Sequence, residues 1–200
     1  MKKTTFRIKK TPVDLISMRN ITVLSNTGET TEYTGFFDKC VRNKCIVHAD
    51  VSFLMNKAFL CEFYPALIKY NATHTDKCIL KISSSVQDIL KNLSSKTGFA
   101  DKEDAERAGK LLRSLDYCAK RGYNFATYNS EAFINADILS RITIDRLSSD
   151  VILLTENKKL ISDIEEHINN FKSCNAREVI VRNHDSFKPR NCRQERGMAV

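Results

Sequence analysis

The chain has 200 residues, 42% of them hydrophobic and 28% charged, and a formal net charge of +8. This is the composition of a globular protein, neither disordered nor collagen-like, and the length is sufficient to bury a core without staples. No stretch reaches the ~18 consecutive apolar residues of a bilayer-spanning helix, and the basic start MKKTTFRIKK lacks the apolar run of a secretory signal, so a cytoplasmic protein with no membrane role is expected.

The charge is unevenly placed. Residues 1–45 carry nine Lys/Arg against four Asp/Glu, and residues 186–200 carry four against one. The stretch between them is neutral. Basic ends add sequence-independent affinity for phosphate backbones, or serve solubility alone. The seven cysteines are odd in number and show no C-x-x-C pair. They read as reduced thiols packed as small hydrophobes, not as a zinc site or a disulfide framework.

In chain order, residues 20–37 read as a β-hairpin. Two segments rich in β-branched and aromatic residues flank a Gly-containing connection, Asn26-Thr-Gly-Glu. Residues 1–44 thus form a basic extension. From residue 45 the pattern alternates between strands and helices. Residues 45–49 form a short apolar strand, followed at Asp50 by an amphipathic helix that Pro65 interrupts. A second strand spans 78–82, and Ser84 or Ser85 caps a helix to about Ser94. Asp101 caps a long helix with Ala105, Ala108, Leu112, Leu115 and Ala119 on one face, ended by Gly122. A weak strand at 123–127 precedes a helix with Ile134, Ile138, Leu139 and Ile142 apolar. Residues 150–155 are the clearest buried strand. Asn157 opens a helix with Leu160, Ile161, Ile164, Ile168 and Phe171 at helical spacing, and 178–182 is the last strand.

This order predicts an α/β domain over 45–187, a mostly parallel sheet of about five strands flanked by helices, with a basic tail at 188–200. Sites in such sheets form beyond the carboxyl ends of the strands. Four polar positions fall there. Asp50 follows the first strand, and Asp88 stands in the first turn after the second. Asp137 is near the start of the helix before the fourth strand, and Asn157 follows that strand. Converging carboxylates need compensating positive charge. Oxygen-only ligands favour Mg²⁺ or Mn²⁺, ions that activate water for attack on a phosphodiester. Each residue also has a purely local role open to it. Asp50 and Asn157 suit helix N-caps, Ser85-x-x-Asp88 reads as a capping box, and Asp137 favours the positive end of its helix. His48 reads as a core histidine. No P-loop, no G-x-S-x-G and no H-E-x-x-H sequence is present.

Residues 45–187 resemble a PIN domain, the compact α/β nuclease family of toxin ribonucleases and RNA-processing factors. Asp50-Val-Ser-Phe-Leu is similar to the family's opening D-x-[ST/N]-x-L. Ala-Asp137-Ile-Leu resembles its A-D-x-x-[IL] segment, and Val151-Ile-Leu-Leu-Thr-Glu-Asn157-Lys-Lys-Leu resembles its fourth-strand motif. Asp88 stands where the family usually has Glu, and Asn157 where Asp is commoner. The resemblance implies a metal-dependent endoribonuclease in which Asp50, Asp88, Asp137 and Asn157 hold Mg²⁺ or Mn²⁺, with Ser52 and Thr155 orienting them. It implies RNA as substrate, an antitoxin-like protein shielding the cleft if the role is that of a toxin, and pairing into a homodimer as many such domains do. The alternative is a catalytically inactive PIN-like module that binds RNA or a protein partner.

Overall fold

The computed structural model describes residues 30–96, 98, 101–119, 124–128, 134–170 and 176–187. The chain forms α1 (Thr30–Arg42), β1 (Ile46–Ala49) and the short α2 (Val51–Met55). A π-helical turn, Phe59–Phe63, runs into α3 (Tyr64–Thr73), followed by β2 (Leu80–Ser83), α4 (Ser84–Ser94) and α5 (Lys102–Ala119). Then come β3 (Phe125–Tyr128), α6 (Ile134–Asp145), β4 (Val151–Leu154) and α7 (Lys158–Asp163), which a π-helical stretch, Ile164–Asn169, extends. The strand β5 (Val179–Arg182) and a 3₁₀ turn, His184–Phe187, complete the described chain.

The five strands form one sheet in the order β3-β2-β1-β4-β5, and every neighbouring pair is parallel. This is the α/β architecture expected. Parallel strands are covered on both faces, which is why Val151-Ile-Leu-Leu154 is buried at all four positions. On one face Val47, Ala49, Leu80, Ile82 and Leu154 pack in one core with residues of α1 through α5. On the other, Ile46, Val151, Leu153 and Val179 meet Ile138, Ile142, Leu160 and Ile164. Each large apolar side chain so removed from water contributes about 1.5–3 kcal/mol.

Two expectations are corrected. Residues 31–37, expected as the second arm of a hairpin, lie in helix α1; the first arm falls outside the described residues. The composition is strand-like, but Tyr33, Phe37 and Cys40 recur at helical spacing and are all buried. Their packing decides the conformation over β-propensity. Tyr33 and Phe36 lie against Phe187, and Phe36 and Phe37 against Phe63, with centroids 5.0–6.3 Å apart. The second correction concerns Pro65. The helix after Asp50 ends earlier, at Asn56, whose backbone leaves the helical region. Pro65 instead sits in the first turn of α3, where its missing N–H costs little.

Candidate functional site

The strand order turns back between β1 and β4, and a crevice opens beyond the carboxyl ends of strands at such a switch point. The sequence places Asp50 there from one side and Thr155 to Asn157 from the other. Ala49 pairs with Leu154, and the Asp50 N–H continues the ladder to the Leu154 carbonyl at 3.2 Å.

Asp50 is 2% exposed. Its Oδ1 accepts from the Phe53 N–H at 3.0 Å, capping α2. The Ser52 hydroxyl spans both carboxylate oxygens, at 2.8 Å and 3.0 Å. Having given its proton to Asp50, Ser52 can only accept elsewhere. It accepts the Glu156 N–H at 2.9 Å, and the Thr155 hydroxyl, 3.3 Å away, is therefore the donor of that pair. Thr155 in turn accepts the Asn157 N–H at 3.0 Å. The chain of donors Asn157 N–H, Thr155, Ser52 thus points one way, toward the carboxylate, and such chains polarise cooperatively. Burial pushes the Asp50 carboxyl up; the Phe53 and Ser52 hydrogen bonds oppose it. Among the described residues no cation pairs with Asp50. Oδ2 accepts the Ser52 hydroxyl, and a carboxylate oxygen has lone-pair capacity for more than one partner.

Asp137 sits in the first turn of α6, 2% exposed, and accepts from the Ser83 hydroxyl at 3.0 Å. Ser83 is the last residue of β2. The β1–β2 register, His48 with Lys81, continued two residues sets Asp50 level with Ser83. The fold therefore sets Asp50 at the end of β1 and ties Asp137, from α6, to the end of the adjacent β2. Ser83 is also the N-cap of α4, accepting from the Ser85 N–H at 3.3 Å, so the cap precedes Ser84 and Ser85 and no Ser85–Asp88 box forms.

The other two expected ligands are placed differently. Asp88 is exposed and pairs with Lys91 at 3.0 Å. Nothing draws it toward Asp50. Asn157 is at the switch point, but its Oδ1 accepts the Lys159 and Leu160 N–H groups at 3.0 Å and 3.2 Å, capping α7. Among the described residues no three His, Cys, Asp or Glu side chains are grouped closely enough to hold a metal ion.

A second polar cluster was not foreseen. Asp137, Arg141 and Asp145 recur every four residues along α6, beside the apolar stripe of Ile138 and Ile142. Asp145, 6% exposed, accepts from His48 Nε2 and Lys81 Nζ, each at 3.0 Å. Burial alone would raise its carboxyl, but Lys81 and His48 carry it below the usual range. Burial pushes His48 down to about 4, against the pull of Asp145. The ring is neutral near pH 7, so Nε2 carries the proton and Nδ1, buried, has no partner. The Tyr128 ring stands edge-on to His48 at 5.8 Å. Its hydroxyl is buried, makes no hydrogen bond, and is pushed up to about 12 by burial and then by the Asp137 charge. The regular spacing of charges along α6 was the available signal for this cluster.

No family model matches the chain, and no curated protein matches it. His184, assigned no role from sequence, stacks on Phe53 at 3.9 Å, and its Nε2 donates to the Phe53 carbonyl at 3.1 Å. Its N–H donates to Glu156 at 2.8 Å. The last turn thus clamps the loops carrying Asp50 and Thr155. Away from the edge, a cavity of about 910 Å³ between α4 and α5 is lined by Lys96, Lys102, Lys110 and Arg113 against Glu106. No helix of the described residues is long and apolar enough to cross a membrane.

Proposed function

We propose that the chain is a divalent-metal-dependent endoribonuclease of the PIN-domain kind, with Asp50 and Asp137 as its metal-holding carboxylates. The observation that supports this reading most is Asp50 itself: a buried carboxylate at the switch point, aligned by a one-way chain of hydroxyls, with no cation beside it among the described residues. An ionised carboxylate withdrawn from water is costly unless paired. A divalent cation is the pairing that this site accommodates, and its oxygen donors suit Mg²⁺ or Mn²⁺. Such an ion supplies an activated water and stabilises the oxygens of a phosphodiester.

The chain's own residues do the rest. Ser52 fixes the plane of the Asp50 carboxylate, and Thr155 fixes Ser52. Ser83 holds Asp137 level with Asp50. Asn157 acts as a cap that ties the β4 loop to α7, and Asp88 has no part in the site. The basic termini and the lysine-lined groove favour RNA by long-range attraction. The test is cleavage of structured and single-stranded RNAs in Mn²⁺, Mg²⁺ or EDTA, with Asp50→Asn alongside. Metal-dependent cuts that vanish in the variant are expected. Cuts that persist in it would refute the assignment.

A second reading, a non-catalytic module that binds RNA or a protein, is favoured by the positions of Asp88 and Asn157. One lies off the site, and the other has its oxygen engaged in capping. Calorimetry separates the two readings: no heat with Mn²⁺ at millimolar concentration selects the module.

A further inference from the structure

We propose that Arg141, braced on Tyr128 and Asp145, binds a backbone phosphate of the RNA next to the one cut, on the α6 side of the edge strand β3. This deepens the nuclease reading and rests on it for the identity of the ligand. The position follows from the sheet. β3 is an edge strand, and α6 packs over β1 and β2. Phe125 faces Tyr64 in the core on the opposite side. By alternation, Ala126 and Tyr128 face the α6 side. Ala126 is exposed there, and Arg141 of α6 reaches the Tyr128 ring on that side. Lys81 and Arg141 both approach Asp145 on this side.

The arginine is held as a donor without an acceptor. Its guanidinium lies over the Tyr128 ring, 5.8 Å from the centroid. Its Nε is 3.4 Å from Asp145 Oδ1 but is buried without a hydrogen bond. Asp145 is already satisfied by His48 and Lys81, so it anchors the arginine without consuming it. Neither terminal nitrogen of Arg141 has a partner among the described residues, and the side chain is 41% exposed. A planar, pre-positioned guanidinium with two free nitrogens matches a phosphate in a bidentate fork. Arg141 follows Asp137 by four residues, about 6 Å along the helix. That is of the order of the spacing between neighbouring phosphates of an extended single strand. A strand with one phosphate at the carboxylates would present the next to Arg141.

The experiment compares wild type, Arg141→Gln, Arg141→Lys and Arg177→Gln, the last a control that removes an exposed ion pair with Asp150. Affinity for a short labelled single-stranded RNA is measured in EDTA between about 50 and 200 mM salt. Mn²⁺-dependent cleavage and melting temperature are measured on the same samples. Arg141→Gln is expected to weaken binding about tenfold and to reduce the salt slope by about 0.7, the value for one phosphate of a single strand. Arg141→Lys should restore the slope and remain slower in cleavage, because a point charge does not replace the fork. Arg177→Gln should match wild type. Binding by Arg141→Gln within twofold of wild type with an unchanged slope would overturn the proposal, as would a wild type with no affinity for RNA. RNA binding that depends on Arg141 without cleavage in any metal would uphold the phosphate site and overturn the nuclease reading. Cleavage by wild type that Arg141→Gln reproduces in full would do the reverse.

Discussion

Replacing Asp50 by Asn should make the metal-free protein more stable while removing its response to metal. The carboxylate is 2% exposed and has no cation among the described residues. An amide oxygen can still accept the Phe53 N–H, now at 3.0 Å, and the Ser52 hydroxyl can turn to suit the amide. The charge is therefore the main thing lost. Relief of a functionally strained group typically gains about 0.5–2 kcal/mol, or roughly 1–8 °C for a chain of this size. The sign with pH follows from the raised carboxyl of Asp50. Its folded-state preference for the proton adds stability below the unfolded value near 4, and that stability is lost as pH rises through the folded value. The gap between variant and wild type should thus be closed in acid and open toward neutrality. Mn²⁺ at about a hundredfold excess over its Kd would stabilise wild type by about 2.7 kcal/mol and leave the variant unmoved. Melting curves in EDTA and in Mn²⁺ across pH are the assay. An Asn variant that melts below wild type at pH 7 in EDTA, or an equal Mn²⁺ shift in both, would refute the reasoning and leave Asp50 as a helix cap.

Other outcomes follow from the same geometry. His48 is neutral when folded, with its imidazole held down at about 4. Its contribution is complete above the unfolded value near 6.5 and is lost as pH falls through 4, a change of about 3 kcal/mol. His48→Leu should flatten that part of the acid-denaturation profile, while costing about 1–3 kcal/mol at pH 7 by leaving Asp145 short of a donor. Asn157→Ala should cost about 1 kcal/mol, or 2–4 °C, through the lost cap of α7. Asn157→Asp should keep that cap and tighten Mn²⁺ binding in calorimetry, since it adds a negative charge at the switch point. Asp88→Asn should leave cleavage and metal affinity within about twofold, because an exposed pair such as Asp88–Lys91 contributes about 0–1 kcal/mol.

The alternation of strands and helices was legible because parallel strands are short continuous apolar runs; 150–155 is the buried example, and 178–182 shows the same run on an edge strand buried at Val179 alone. Asp50, Ser52 and Thr155 could be read from their positions at strand ends, where the backbone ladder stops and side chains take over. Asp88 misled because polar residues near a helix start serve the helix as often as a site. With the cap at Ser83, Asp88 falls beyond the first turn, on the exposed face of the helix, where it pairs with Lys91. α1 misled for the opposite reason. Its β-branched and aromatic composition speaks for a strand, and only contact with Phe63 and Phe187, far away in sequence, selects the helix. The Asp145 cluster required knowing that α6 crosses β1 and β2, a relation that no local window contains.

The pairing of α1 with the last 3₁₀ turn also sets an order of events in folding. Tyr33 and Phe187, 5.3 Å apart between ring centroids, stand near the two ends of the described chain. During synthesis the helix is made long before the turn that covers it. Part of its aromatic face therefore waits for the final segment, and the closing contact spans nearly the whole loop of the domain. The seam can also open locally, without global unfolding. Because His184 lies within that turn and grips Phe53, each opening would also loosen the backbone beside Asp50. Slow hydrogen exchange in α1, in the last turn and in the first turn of α2 should then share a single opening free energy.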